Sequence, residues 1–152
     1  MAQEQTKEEI GALLARFPVC ITYVPVGTEV DFYTFCTIPE TTTIYEIKPD
    51  TSLDPREVVA HAIETVQGRI AAILIPGRRF DASGTRHGKG AGWYDRFLAQ
   101  VPASWTRIGF CFDDQFSDEP LVRESWDEPM DYVVVVPRDG RDPVLYTTGA
   151  RN

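Results

Sequence analysis

The sequence has only two histidines and three cysteines. Cys20, Cys36 and Cys111 are odd in number and widely spaced, with no CxxC pair and no histidine partner nearby. That excludes a disulfide framework and a zinc site of known spacing, and leaves the three as buried reduced thiols. No apolar run approaches the roughly 20 residues that a membrane helix needs, which excludes a spanning helix. The opening stretch MAQEQTKEEIGALLAR carries acids where a secretory leader would have a basic region and then an apolar one. The expected location is therefore cytoplasmic. Basic charge is scarce as well: 15 Lys and Arg against 23 Asp and Glu give a net charge of −8, which argues against nucleic acid as a partner. Ser83, Ser104 and Ser117 lack both a nucleophile elbow and a poised histidine, so serine hydrolysis is disfavoured. No internal repeat, low-complexity tract or linker divides the 152 residues, and one domain is expected.

What is present is a succession of periodic segments. Thr6-Lys-Glu-Glu9 has the form of a capping box, and Ile10, Leu13, Leu14 and Phe17 follow at helical spacing; a helix should open the chain and break at Pro18. Val19–Val24 and Val30–Ile38 are rich in β-branched and aromatic residues and read as two strands around the turn PVGTE, with Thr41–Ile47 as a third. Asp54-Pro55 should cap a helix that buries Val58, Val59, Ala62, Ile63 and Val66 and stops at Gly68. RIAAILIP, Arg69–Pro76, is apolar without alternation, as in a strand covered on both faces. A helix from about Gly90–Gly92 through Leu98 and buried strands at Thr106–Phe112 and Tyr132–Val136 complete an alternating pattern. The fold class expected is α/β: a single three-layer domain with a mostly parallel central sheet and helices on both faces.

In such sheets ligands sit beyond the carboxyl ends of the strands, where RIAAILIP hands over to PGRRFDASGTRHGKG. That block concentrates Arg78, Arg79, Arg86 and Lys89 in an otherwise acidic chain. RHGKGAGWYD is not a Walker A loop, and Gly88-x-Gly90-x-Gly92 does not have dinucleotide-fold spacing. Its glycines still allow close backbone approach to a ligand, Arg86 and Lys89 supply positive charge, and Asp95 offers an acidic ligand for a cation that bridges phosphates. Taken alone, the segment suits a phosphate seat or a plain strand-to-helix loop.

The longer stretch ILIPGRRFDASGTRHGKGAGWYDRFL resembles the signature of 5-formyltetrahydrofolate cyclo-ligases: a buried strand ending in Pro-Gly, then Phe-Asp, a glycine turn, Arg-x-Gly-x-Gly-x-Gly and Tyr-Asp. ESWDEPMDYVVV resembles the family's closing segment, and ARFPVCITYVPVGTEVDFYTF with IYEIKPD its middle region. The resemblance implies an enzyme that uses ATP and Mg2+ to convert 5-formyltetrahydrofolate to 5,10-methenyltetrahydrofolate, as a monomer or homodimer with neither nucleic acid nor membrane as partner. Arg86, His87, Gly88, Lys89, Gly90, Ala91, Gly92, Trp93 and Tyr94 would hold ATP, with Arg86, Lys89 and Tyr94 as catalytic groups. Asp95 and Asp127 would ligate Mg2+. Pro76, Gly77, Phe80, Asp81, Phe32 and Tyr33 would line the folate pocket. The family's usual N-terminal segment, with a Lys and an Arg for ATP, would lie outside this sequence. A relative that binds nucleotide or folate without turnover is the alternative. Glu29 reads as a turn residue, Asp131 as the cap of the last strand, and Asp113, Asp114, Asp118 and Glu119 as an acidic surface loop. His61 and His87 read as polar surface or loop residues, and Tyr94 and Phe97 suit core packing as readily as ligand contact.

Overall fold

A computed structural model describes residues 2–48, 53–88 and 92–151, with residues 2–6 as backbone only. The expectations for Lys89, Gly90 and Ala91 lie outside the described residues. Helix α1, Ala2–Ala15, begins before Thr6 rather than at it; the Ala, Gln and Glu residues upstream are good helix formers, and the helix runs back through them. It ends where Arg16 and Phe17 close short turns onto Leu13 and Leu14 ahead of Pro18. β1, Val19–Tyr23, is buried at every position.

The hairpin expected after β1 does not form. Both edges of β1 are occupied by parallel neighbours, β2 at Thr43–Ile47 and β3 at Ala71–Pro76. Residues 24–42 are therefore a crossover and not a returning strand. Their apolar residues are spent on one sheet face, where Val30, Phe32 and Ile38 are buried. Asp31 caps a single 3₁₀ turn, Phe32–Thr34, by accepting from the Tyr33 N–H at 3.2 Å.

α2, Pro55–Val66, starts as the sequence indicates: the Asp54 carboxylate accepts from the Arg56 N–H at 2.9 Å and proline occupies the first turn. It buries Val59, Ala62 and Val66, whereas Ile63 faces outward. Next come two short strands, β4 (Arg79–Asp81) and β5 (Arg86–His87), then α3 (Trp93–Leu98) and β6 (Thr106–Phe112). β7 (Phe116–Ser117), β8 (Tyr132–Val136) and β9 (Val144–Thr147) complete the chain.

The main sheet has six strands in the order β2-β1-β3-β6-β8-β9, and only the last pair is antiparallel. A small sheet, β5-β4-β7, stands beside it. α1 covers one face, where Ile10, Leu13, Leu14 and Phe17 share a core with Cys20, Ala72, Leu74, Phe110 and Val134. α2 and α3 cover the other, packing Val59, Ala62, Val66, Phe97 and Leu98 on Val19, Ile21, Ile73, Ile75 and Val133. Burial on both faces is what made the inner strands β1, β3 and β8 almost continuously apolar. Among the described residues no helix is long and apolar enough to cross a membrane.

Candidate active site

The direction of chain progression through the sheet reverses between β1 and β3, and the crevice beyond their carboxyl ends is where an α/β sheet accepts ligands. Arg86 enters it from β5. Its side chain is 7% exposed, its Nε donates to the Pro76 carbonyl at 2.6 Å, and its guanidinium lies over the Tyr94 ring at 4.8 Å from the centroid. A guanidinium stays charged in proteins. Burial works against that charge and draws the pKa down, while Tyr94, Asp95, Glu29 and Asp127 favour it. Gly88 leaves room for the Arg86 head, since a Cβ there would sit 3.0 Å from both of its terminal nitrogens.

Tyr94 is 7% exposed and its hydroxyl has no hydrogen-bond partner among the described residues. Burial raises its pKa strongly, so it remains an O–H donor. Asp95, in the first turn of α3, accepts from the Glu128 N–H at 3.2 Å. Burial raises its pKa; the Glu128 N–H and Arg86 lower it, and the carboxylates of Asp127 and Glu128 raise it again. Asp127 accepts from the Glu124 N–H at 2.8 Å. One buried cation, a buried phenol and two carboxylates therefore share a field at the end of β3.

The sequence model of the 5-formyltetrahydrofolate cyclo-ligase family matches residues 38–136, most of the chain. The chain belongs to that family. A 5-formyltetrahydrofolate cyclo-ligase of Mycolicibacterium smegmatis is 39% identical over 75 residues, which is 49% of this chain and 38% of the relative. One from Mycoplasma pneumoniae is 28% identical over 117 residues, covering 74% of this chain and 69% of the relative. The chain thus spans well under half of the first relative's length. A solved 5,10-methenyltetrahydrofolate synthetase from Mycoplasma pneumoniae shares the fold with a TM-score of 0.55 at 20% identity, over 88% of this chain and 83% of that one. Another, from Aquifex aeolicus, gives 0.58 at 21% identity over 97% and 81%.

Within this cyclo-ligase family member, the other residues singled out by sequence fall into distinct settings. Pro76 and Gly77 meet Arg86 directly, the first through its carbonyl and the second by leaving room for the Arg86 stem, 3.1 Å from where a Cβ would be. Phe80 is fully buried and crosses Gly109 of β6. Asp81 is 2% exposed and its carboxylate accepts from the Ser83 N–H and hydroxyl, the Thr85 N–H and the Leu121 N–H. Phe32 packs on Tyr23 and Phe110 inside the core, whereas the Tyr33 ring beside it is 50% exposed.

His87 Nε2 lies 2.7 Å from the Val122 carbonyl, which can only accept, so that nitrogen carries the proton. This contact, with Arg123 bonded to Thr85 and Ser83 and the Met130 N–H bonded to the Gly84 carbonyl, lashes the loop bearing Asp127 to the glycine-rich segment. Gly92 takes φ 68°, a conformation that favours glycine, at the entry to α3. Trp93 is stacked on Phe97 and buried, and Phe97 is core.

Glu29 is the turn residue that the sequence indicates, and its charge near Arg86 is what the sequence does not reveal. Its carboxylate accepts from the Val26 N–H at 3.0 Å, as a turn residue would, yet its charge also acts on Arg86, Tyr94 and Tyr23. The signal was its place just beyond the carboxyl end of β1, which was read instead as the turn of a hairpin.

A divalent cation fits the acidic pair by the chemistry of its donors. Among the described residues no group of three His, Cys, Asp or Glu could enclose a metal. Mg2+ is commonly held by one or two carboxylates and completed by phosphate oxygens and water, and two carboxylates beside a buried guanidinium that could receive phosphate suit it.

Proposed function

We propose that this chain carries out the ATP-dependent conversion of 5-formyltetrahydrofolate to 5,10-methenyltetrahydrofolate, with release of ADP and phosphate. The observation that carries this reading is the placement of Arg86, Tyr94, Asp95 and Asp127 in one electrostatic neighbourhood beyond β3, in a chain of the cyclo-ligase family.

In this reading the formyl oxygen attacks the γ-phosphorus and ADP departs; N10 then adds to the activated carbon, loses its proton, and the carbon–oxygen bond breaks to release phosphate. The protein's share of such a reaction is positioning and charge neutralisation. Arg86, with Lys89 and the backbone N–H groups of the glycine-rich segment, neutralises the transferring phosphoryl group. Arg86 is held for this by Pro76 and Tyr94 before any ligand arrives, so little reorganisation is needed at the moment of reaction. Tyr94 offers the O–H that has no acceptor among the described residues. Asp95 and Asp127 would hold Mg2+, which would supply charge compensation to the phosphates. Glu29, whose charge acts on Arg86, would offer an acceptor to pterin N–H groups. Tyr33, half exposed above Phe32, packs on the pterin.

The test is a near-ultraviolet absorbance assay, because the methenyl product absorbs there and the formyl substrate does not. Product formation that requires both ATP and Mg2+ is expected. Absence of product, with calorimetric binding of ATP or folate retained, would overturn turnover and leave a binding module.

A further inference from the structure

Asp95 and Asp127 come from elements whose spacing regular secondary structure does not fix. Asp95 rides on α3, a helix of six residues. Asp127 lies in the stretch between β7 and β8, where no strand or helix forms. Two carboxylates serve one cation only if their carriers are held at a set separation, so something must tie the two elements together.

Arg107 in β6 makes that tie. Its Nη2 donates to the carbonyl of Leu98, the last residue of α3 and one turn beyond Asp95, at 3.1 Å. Its Nη1 donates to the Glu128 carboxylate at 3.0 Å and to the Pro129 carbonyl at 3.4 Å. The ring of contacts closes through the Glu128 N–H, which donates to Asp95. Arg107 is itself fixed: its backbone N–H donates to Asp131 at 2.9 Å and its carbonyl accepts from the Asp131 N–H at 2.9 Å. Asp131 is gripped in turn by Arg151 through two bonds, at 2.9 and 2.7 Å. The Arg107 side chain is 5% exposed, and its Nε has no partner among the described residues. Placing a cation there is costly, and a hydrophobic residue would fill the same space at less cost. What only a guanidinium supplies is a planar fork that reaches two elements at once.

We propose that Arg107 is a positioning residue for the metal-binding carboxylates, holding the α3 end and the Asp127–Pro129 segment in the register that lets Asp95 and Asp127 share one cation. This rests on the reading of those two aspartates as the Mg2+ ligands. Lysine at position 107 reaches one carrier or the other but not both, and alanine at position 128 cuts the tie on the loop side alone.

The experiment measures Mn2+ binding by electron paramagnetic resonance of the free ion, with ADP present, for wild type, Arg107→Lys, Glu128→Ala and Asp95→Asn. In the first two variants the Mn2+ dissociation constant should rise about tenfold or more, as for other groups that orient metal ligands. The KM for Mg2+ in the absorbance assay should rise in step while kcat at saturating Mg2+ stays within about threefold. ADP binding in EDTA should not change. A merely structural role would lower the melting temperature and leave Mn2+ affinity of the folded protein intact. Wild-type Mn2+ affinity in Glu128→Ala, whose side chain is partly exposed and whose loss is the gentler change, overturns the proposal even if Arg107→Lys fails to fold. If wild type binds Mn2+ no better than Asp95→Asn, the metal reading itself falls and takes the tie with it.

Discussion

The Arg86 guanidinium rests 4.8 Å from the centre of the Tyr94 ring, on a phenol whose hydroxyl has no partner among the described residues. A cation stacked on a tyrosine face is stabilised by the ring quadrupole, and more so when both are dry. The unmet hydroxyl works the other way, since a buried polar group without a partner costs about 1–3 kcal/mol. Tyr94→Phe keeps the ring and removes the cost. Thermal denaturation should show the variant to be at least as stable as wild type, and the absorbance assay should show kcat/KM reduced about tenfold or more, as for loss of a transition-state donor. A variant less stable than wild type, or one with unchanged kcat/KM, would contradict this account of the hydroxyl.

Asp81 gives a pH dependence with a definite sign. Burial opposes its ionisation, but the N–H groups of Leu121, Thr85 and Ser83 and the Ser83 hydroxyl outweigh it and hold the carboxyl below its ordinary value. A depressed folded pKa contributes stability that is present above the unfolded value of about 3.9 and lost as pH falls through the folded value. Asp81→Asn should therefore be destabilised by about 1–3 kcal/mol at neutral pH, because one amide cannot accept from all four donors. The gap between the two proteins in urea denaturation should narrow below about pH 4. A gap independent of pH would mean that the charge on Asp81 does not matter.

Phe80 and Gly109 form a fit with no slack. A Cβ on Gly109 would stand 2.3 Å from one Phe80 ring carbon and 2.9 Å from the next. Gly109→Ala should cost about 1–3 kcal/mol, as overpacking of a core does. Phe80→Leu should cost a similar amount alone, yet the double variant should lose much less than the sum, which a double-mutant cycle in denaturant would show. Additive losses would mean that the two residues do not compete for the same space.

The strands and helices carrying the parallel sheet were legible because burial on both faces leaves continuous apolar runs such as Ile73, Leu74 and Ile75, and because Asp54 and Pro55 announce a helix start. Arg86, Tyr94, Asp95 and Asp127 stood out through an ordered motif. What failed were inferences about what pairs with what. Val30, Phe32 and Ile38 have the composition of a strand, and nothing local reveals that both edges of β1 are already taken. β4, β5 and β7 are too short to show a period. Arg107 and Glu128 look like ordinary surface charges in sequence; only the fold brings residues 21 positions apart together across the end of α3. Glu29 was legible as a turn residue and illegible as a charge on Arg86 for the same reason.

The order of the sheet also governs how the chain finds it. Val19 aligns with Thr43 and Ala71, Ala72 with Thr106, and Ile108 with Tyr132, so each parallel pairing must close a long loop before it returns any contact energy. The antiparallel pair β8 and β9, which aligns Val135 with Val144, is the cheapest to close. Such an assembly belongs with the slower folders, in the range of milliseconds to seconds, and the crevice between β1 and β3 is completed only when chain segments from both sides of a long excursion have met.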